Sequence, residues 1–329
     1  MKSLVTGANG FVGSAIARYL LEAGQDVCVL VRAESNRKNL KGLDIEIMNG
    51  DLRDPDSLAR ACKNCNYLFH VAADYRLWIP RPEEMYKINV EGTENLMLAA
   101  ADANIERIVY TSSVATLGYN RDNSPANEDT PSSLDTMIGH YKRSKFLAEQ
   151  KVRMMVEQFN LPVVIVNPST PIGPRDIKPT PTGKIVVDTL NGNMPAYVNT
   201  GLNIVHVDDV ARGHYLALQS GHIGERYILG GENISLQQIL GTIDEITGIH
   251  RKRVRLPHLC ILPIAWCMGK ISLVTGKEPR ATVDSVRMAQ KFMYFSSEKA
   301  AKNLGYTFRP ARQALEDAIQ WFVDNGYVK

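Results

Sequence analysis

Cysteine is scarce in this chain, and the five present make an odd number. That count argues against a disulfide framework and fits a reducing compartment. An excess of one charge is also missing: the formal net charge is +3 at pH 7. So small a surplus, without a run of five basic residues, gives no electrostatic footprint for nucleic acid. The densest basic cluster, Arg251-Lys-Arg-Val-Arg255, reads as a solvated loop. Long apolar runs are absent too. The most apolar stretch, Leu259–Met268, is too short to cross a bilayer and is interrupted by Pro263. It reads as a buried or lid helix, with contact at a membrane surface as the alternative. No charged-then-apolar leader precedes the strand-like Lys2–Thr6, so a cytoplasmic location is expected. Cys62 and Cys65 have metal or redox spacing, but no second pair or histidine cluster completes a site. No metal is expected.

What remains is an ordinary globular composition, with length enough for one large domain or two unequal ones. The first half alternates short apolar strands with helical patterns. Strands begin at Leu4-Val5 and continue at Val27–Val31, Ile45–Met48, Tyr67–Val71, Arg107–Tyr110 and Val163–Val166. Helices are expected over Phe11–Ala23, Pro55–Cys62, Tyr86–Ala103 and Tyr141–Phe159. That alternation implies an α/β protein with a parallel, doubly wound sheet. From Pro168 onward prolines multiply and the elements become short and mixed, which marks a second region. Segments around Ile204 and Tyr227 are expected to return to the sheet.

Two motifs carry chemistry. Gly7, Gly10 and Gly13 punctuate the turn between the first strand and the first helix. Gly7 permits the tight turn, Gly10 lets the backbone approach phosphates, and Gly13 lets helix and strand pack closely. The helix start then faces the pyrophosphate of a dinucleotide. Arg32 ends the second strand, where an acid would hold a ribose hydroxyl and a guanidinium suits a 2′-phosphate, so NADP(H) is favoured over NAD. Asp51-Leu52 after the third strand and Val71-Ala72-Ala73 after the fourth complete the nucleotide set. The second motif is Tyr141-x-x-x-Lys145, whose side chains share one helix face. Tyr141 can pass a proton, and Lys145 can lower its pKa and hold a ribose. Thr111-Ser112-Ser113, at the end of the fifth strand, offers a hydroxyl for the substrate oxygen.

Together with Asn167-Pro168, these motifs resemble the extended short-chain dehydrogenase/reductases along nearly the whole chain. The resemblance implies a Rossmann domain over 1–167 and a smaller, mixed substrate-binding region over 168–329. It makes Ser113 the catalytic serine, with Ser112 as alternative, and adds Phe11, Val12, Pro168 and Thr170 to the cofactor contacts. It also offers Asn89 for a proton relay or a structural role. Val29-Leu-Val-Arg32, Phe69–Ala73 and Asn167–Pro174 are similar to the dihydroflavonol 4-reductase branch. His70–Trp78 and Pro168–Thr182 resemble bacterial hopanoid-associated sugar epimerases, whose name implies a sugar substrate linked to those lipids.

Tyr75, Trp78, Arg175 and Lys178 are candidate substrate contacts, two aromatics to flank a ring and two cations to hold an anion. His206 and Asp208-Asp209 resemble a helix-starting motif, with Asp208 or Asp209 read as the cap. Three functions are in view: an NADP(H)-dependent reductase of ketones or aldehydes, an NAD(P)-dependent sugar epimerase or dehydratase, and a dinucleotide sensor without catalysis. Tyr141 and Lys145 speak against the last. The resemblance further implies a homodimer pairing Tyr86–Ala103 with Tyr141–Phe159 through Leu96, Leu147, Val152 and Met155.

Overall fold

The computed structural model describes residues 1–275, 279 and 282–328. Its first part alternates as the pattern requires. The strands are β1 (Lys2–Thr6), β2 (Asp26–Val31), β3 (Glu46–Asn49), β4 (Tyr67–His70), β5 (Arg107–Thr111) and β6 (Val163–Pro168). Between them run α1 (Phe11–Glu22), α2 (Pro55–Cys62), α3 (Pro82–Tyr86), α4 (Gly92–Asp102) and α5 (Gly139–Phe159). Next come β7 (Thr170–Ile172), α6 (Pro181–Leu190), β8 (Ala196–Tyr197), β9 (Gly201–His206), α7 (Val207–Ser220), β10 (Arg226–Leu229), β11 (Glu232–Ser235) and α8 (Leu236–Thr247). The remainder is β12 (Val254–Arg255), α9 (His258–Thr275), α10 (Val283–Met288), β13 (Phe292–Met293), α11 (Glu298–Leu304) and α12 (Ala311–Asp324).

Seven strands pair in the order β10-β6-β5-β4-β1-β2-β3, all parallel. Successive side chains on a strand point to opposite faces. Val5, Val29, Phe69 and Val109 pack with residues of α1 and α7, while Leu4, Leu30, Leu68 and Ile108 pack with residues of α2, α4 and α5. Because both faces are covered, the strands read as continuous apolar runs rather than alternating ones. Strand order reverses between β1 and β4, and a crevice at the carboxyl ends is expected there.

Tyr227 lies on β10, the edge strand beside β6. Ile204 does not return to this sheet. It sits on β9, in a second sheet with β7, β11 and β13, where it pairs with Thr170 and Glu232. Its apolar neighbours come from α6, α8 and α12, a separate core that includes Val186, Ile239 and Phe322. Burial against these helices gives the strand a home outside the parallel sheet.

The helix expected over 86–103 begins earlier, at Pro82, and widens into a π-turn at Lys87–Glu91 before α4. Proline suits a first helical position because its missing N–H would be unpaired there anyway. At Gly92 a Cβ would lie 2.8 Å from Leu52 Cβ, so α4 approaches the segment after β3 only without a side chain.

Two expectations about surfaces change. The apolar stretch 259–268 is not a buried helix: α9 packs beside α10, yet Leu259 and Trp266 are 77% and 58% exposed. No helix among the described residues is long and apolar enough to cross a membrane. Leu96, Val152 and Met155 are buried in the chain's own core, which removes them from any subunit contact, and Leu147 is half-buried. Leu98, Met154 and Phe159 are exposed large apolar residues on the same helices.

Candidate functional site

A cleft of about 860 Å³ runs across the carboxyl ends of the strands. At one end lies the glycine turn. Gly7 has φ +72°, and a Cβ on it would lie 2.7 Å from Ala72 N. A Cβ on Gly13 would fall 2.3 Å from Gly7 O, so α1 starts this close to β1 only with glycine. Gly10 is the N-cap of α1 and offers no side-chain cap, and Phe11 and Val12 line the cleft. The first N–H groups of α1 therefore have no intrahelical or side-chain partner and carry the positive end of the helix dipole. Thr6 closes the floor: its Oγ1 accepts from Val71 N at 3.1 Å and Ala72 N at 3.2 Å. Val71, Ala72 and Ala73 line the cleft beside it. An uncapped helix start over a cradle that any Cβ would fill fits a dinucleotide pyrophosphate.

Arg32 lines the same end, half-exposed, with Glu34 3.5 Å away. Ser35 and Asn36 join it there. Arg37 and Lys38 are turned elsewhere, to Asn49 at 2.7 Å and Asn325 at 3.1 Å. Asp51 and Leu52 also line the cleft. Arg53 grips the Asp51 carboxylate at 2.9 and 2.7 Å, and these bonds hold its pKa below the usual value.

Tyr141, Lys145 and Ser113 meet on the cleft wall. Tyr141 and Lys145 stand one turn apart on α5, and the Ser113 side chain lies beside the Tyr141 hydroxyl. Burial pushes the Tyr141 phenol up, and the neighbouring Ser113 hydroxyl opposes the rise. Lys145 Nζ donates to Thr111 O at 2.9 Å and Tyr110 Oη at 3.2 Å, and stands 4.8 Å from the Tyr110 ring centroid. Burial brings this ammonium down to about 8, against the pull of Glu149. The two serines separate. Ser112 is buried and its Oγ donates to Glu149, whereas Ser113 reaches the tyrosine and also accepts from Ala115 N at 3.1 Å.

His70 carries no role in the sequence reading, yet it anchors this wall. Its Nδ1 is 2.9 Å from Thr6 Oγ1, and its Nε2 is 2.9 Å from Thr93 Oγ1. Thr93 spends its proton on Asn89 O at 2.7 Å, so His70 donates through Nε2 and accepts through Nδ1. Burial takes its pKa to about 3, so the ring is neutral. Asn89 uses its whole amide structurally. Its Oδ1 accepts from Asp74 N, and its Nδ2 donates to Asp74 O and Ser144 Oγ, all within 2.9 Å.

Beyond the serine, Pro168 and Thr170 line the cleft, as do Tyr75 and Lys178. Trp78 and Arg175 are not brought to it. Arg175 sits at φ +77°, with its guanidinium paired to Asp208 at the start of α7. That ion pair takes the side chain away from the substrate side. The cap of α7 is neither Asp208 nor Asp209 but His206, whose Nδ1 accepts from Asp208 N at 3.0 Å. Asp209 pairs with Arg309 at 3.0 Å instead. Asp176, missed in the sequence, lines the cleft while only 2% exposed. Burial raises its carboxyl to about 6, although its Oδ2 accepts from Thr180 N and Oγ1 at 2.8 Å each.

An open crevice at the switch point of a parallel sheet, with an uncapped helix start at one end and a tyrosine beside a buried lysine on its wall, defines a dinucleotide-dependent enzyme. The chain belongs to the NAD dependent epimerase/dehydratase family, whose model matches residues 3–230, and so to the extended short-chain dehydrogenase/reductases. It is 48% identical over 329 residues to the "Putative dihydroflavonol 4-reductase" of Synechocystis sp., covering 99% of this chain and 95% of that protein. Among solved structures it is similar to gox2253, at 56% identity and a TM-score of 0.90 over 99% of both chains. PA4631, a nucleoside-diphosphate-sugar epimerase from Pseudomonas aeruginosa, is 27% identical with a TM-score of 0.81, over 100% of this chain and 99% of that one. The chain is accordingly a nicotinamide-dependent enzyme of oxidoreductase or epimerase type, acting on a small molecule.

Proposed function

We propose that the chain is an NADP(H)-dependent carbonyl reductase. The observation that carries this is the Ser113–Tyr141–Lys145 set on the wall of a cleft whose nucleotide end presents Arg32 rather than an acid. The α1 start, Gly7, Gly10 and Gly13 hold the pyrophosphate, and Arg32 pairs with a 2′-phosphate. The bound nicotinamide supplies a hydride to the carbonyl carbon. As the carbonyl oxygen gains the electron pair, Tyr141 gives it a proton and Ser113 donates a hydrogen bond to hold it. Lys145 places a positive charge where the tyrosinate forms, which eases that proton's departure. The Synechocystis relative's name is consistent with this direction of reaction.

The test is oxidation of NADPH against a panel of ketones and aldehydes. Tyr141→Phe is expected to lower kcat by roughly 10²–10⁴-fold while NADPH binding persists. Turnover that survives this change would sink the assignment of Tyr141.

Epimerisation or dehydration of a sugar is the second reading, favoured by the similarity to PA4631 and including the hopanoid-linked sugar chemistry. Tightly held NAD in the purified protein would favour it. Exposed Leu98 and Met154 leave α4 and α5 a face for pairing two copies, and a monomer mass by light scattering would count against that dimer.

A further inference from the structure

Glu149 is 4% exposed, lies one turn beyond Lys145 on α5 and has no part in the chemistry above. Its carboxylate is a junction. Oε2 accepts from Ser112 Oγ, from Thr116 Oγ1 at 2.9 Å and from Asn167 Nδ2 at 3.0 Å, while Oε1 accepts from Arg226 Nη1 at 3.1 Å. One side chain thus ties α5 to the turn after β5, the end of β6 and the edge strand β10. Charge taken out of water requires such partners, and a guanidinium with three neutral donors supplies them.

The same donors hold the serine. Asn167 Nδ2 also donates to Ser113 O at 3.0 Å. Thr116 Oγ1 lies 2.8 Å from Ser113 O and shares its single proton between that carbonyl and Glu149. Around Lys145 the other groups are Tyr110 and Thr111 O on β5, the neutral His70 on β4 and Tyr141 on its own helix. Among the described residues Glu149 is the anion that acts on this ammonium. Arg226 stands on its far side, and Glu128 beyond that takes the Arg226 guanidinium through its backbone oxygen.

We propose that Glu149 is a positioning residue, whose carboxylate fixes the Ser113 turn and keeps a negative charge beside the Lys145 ammonium. The proposal rests on the proton-delivery reading of Tyr141 and Lys145. Removing the charge makes the lysine easier to deprotonate, because one compensating neighbour is gone and Arg226 is left opposed by less. The alkaline limb of the rate profile then moves toward lower pH.

The experiment is kcat and carbonyl KM against pH for the wild-type chain, Glu149→Gln and Glu149→Asp. For Glu149→Gln the expected result is an alkaline limb lower by about one pH unit and kcat down about tenfold at pH 8, with KM changed less than about twofold. Glu149→Asp, which keeps the charge, is expected to retain the wild-type limb. A folded Glu149→Gln whose limb does not move, while Tyr141→Phe is inactive, overturns the proposal and leaves the reaction standing. An active Tyr141→Phe overturns the reading beneath both. Should Glu149→Gln fail to fold, Thr116→Val decides: kcat several-fold lower at unchanged KM is expected, and wild-type kcat overturns the proposal.

Discussion

The nucleotide end of the cleft is built around the backbone turns at 6–13 and 71–73, whereas its far end is lined by side chains from 176–182 and from the loop after β4. At the first end the chemistry is local. A helix start, a positive φ and the close approach of Gly13 to Gly7 are all satisfied within residues 7–13. At the second end a side chain's destination depends on which partner claims it and on how deeply it is buried. Arg175 is claimed by Asp208, and Asp176 by Thr180 and by burial. Local geometry can be read from a motif; competition for an ion-pair partner cannot.

The largest effect expected is at the first end. Gly13→Ala places a Cβ against Gly7 O and is predicted to cost about 3 kcal/mol or more of stability, with nucleotide binding lost, as thermal melts with and without NADPH would report. Arg32→Ala is predicted to weaken NADPH about 30-fold while leaving NADH nearly unchanged, by fluorescence titration. Equal losses for both nucleotides would remove the 2′-phosphate from the account.

At the far end the effects are smaller and of different kind. Asp176 holds its proton up to about pH 6 in the folded chain, against roughly 4 when unfolded. That proton therefore favours folding at low pH, and the advantage fades as pH rises through about 6. Asp176→Asn is predicted to gain roughly 1–2 kcal/mol above pH 6 and to lose that gain near pH 4, in melts across that range. No pH dependence in the difference would show that the carboxyl is not held this way. Arg175→Ala is predicted to cost about 1 kcal/mol and to leave the carbonyl KM alone, whereas Lys178→Ala raises that KM. A raised KM in Arg175→Ala would return its guanidinium to the substrate.

The same contrast explains what was legible. Six of the seven sheet strands, the glycine turn and the Tyr141–Lys145 face follow from period and punctuation in the sequence. Tyr227 was legible as a returning strand because it is a short apolar segment; Ile204 looked alike but is buried by α6, α8 and α12 instead. Ser113 and Ser112 are neighbours with the same chemistry, and partners far along the chain, Tyr141 for one and Glu149 for the other, tell them apart. His70 sat in full view within an apolar strand, where nothing in spacing reveals that Thr6 and Thr93 bracket it.

The central claim is that this wall passes hydride and proton to a carbonyl that leaves as an alcohol. It is met most directly by supplying NADPH deuterated at the transferable nicotinamide position and following the label by mass spectrometry. The account predicts deuterium on the new carbinol carbon, cofactor oxidised in step with product, and neither event in Tyr141→Phe. An isomerised sugar formed without net oxidation of the cofactor would contradict it.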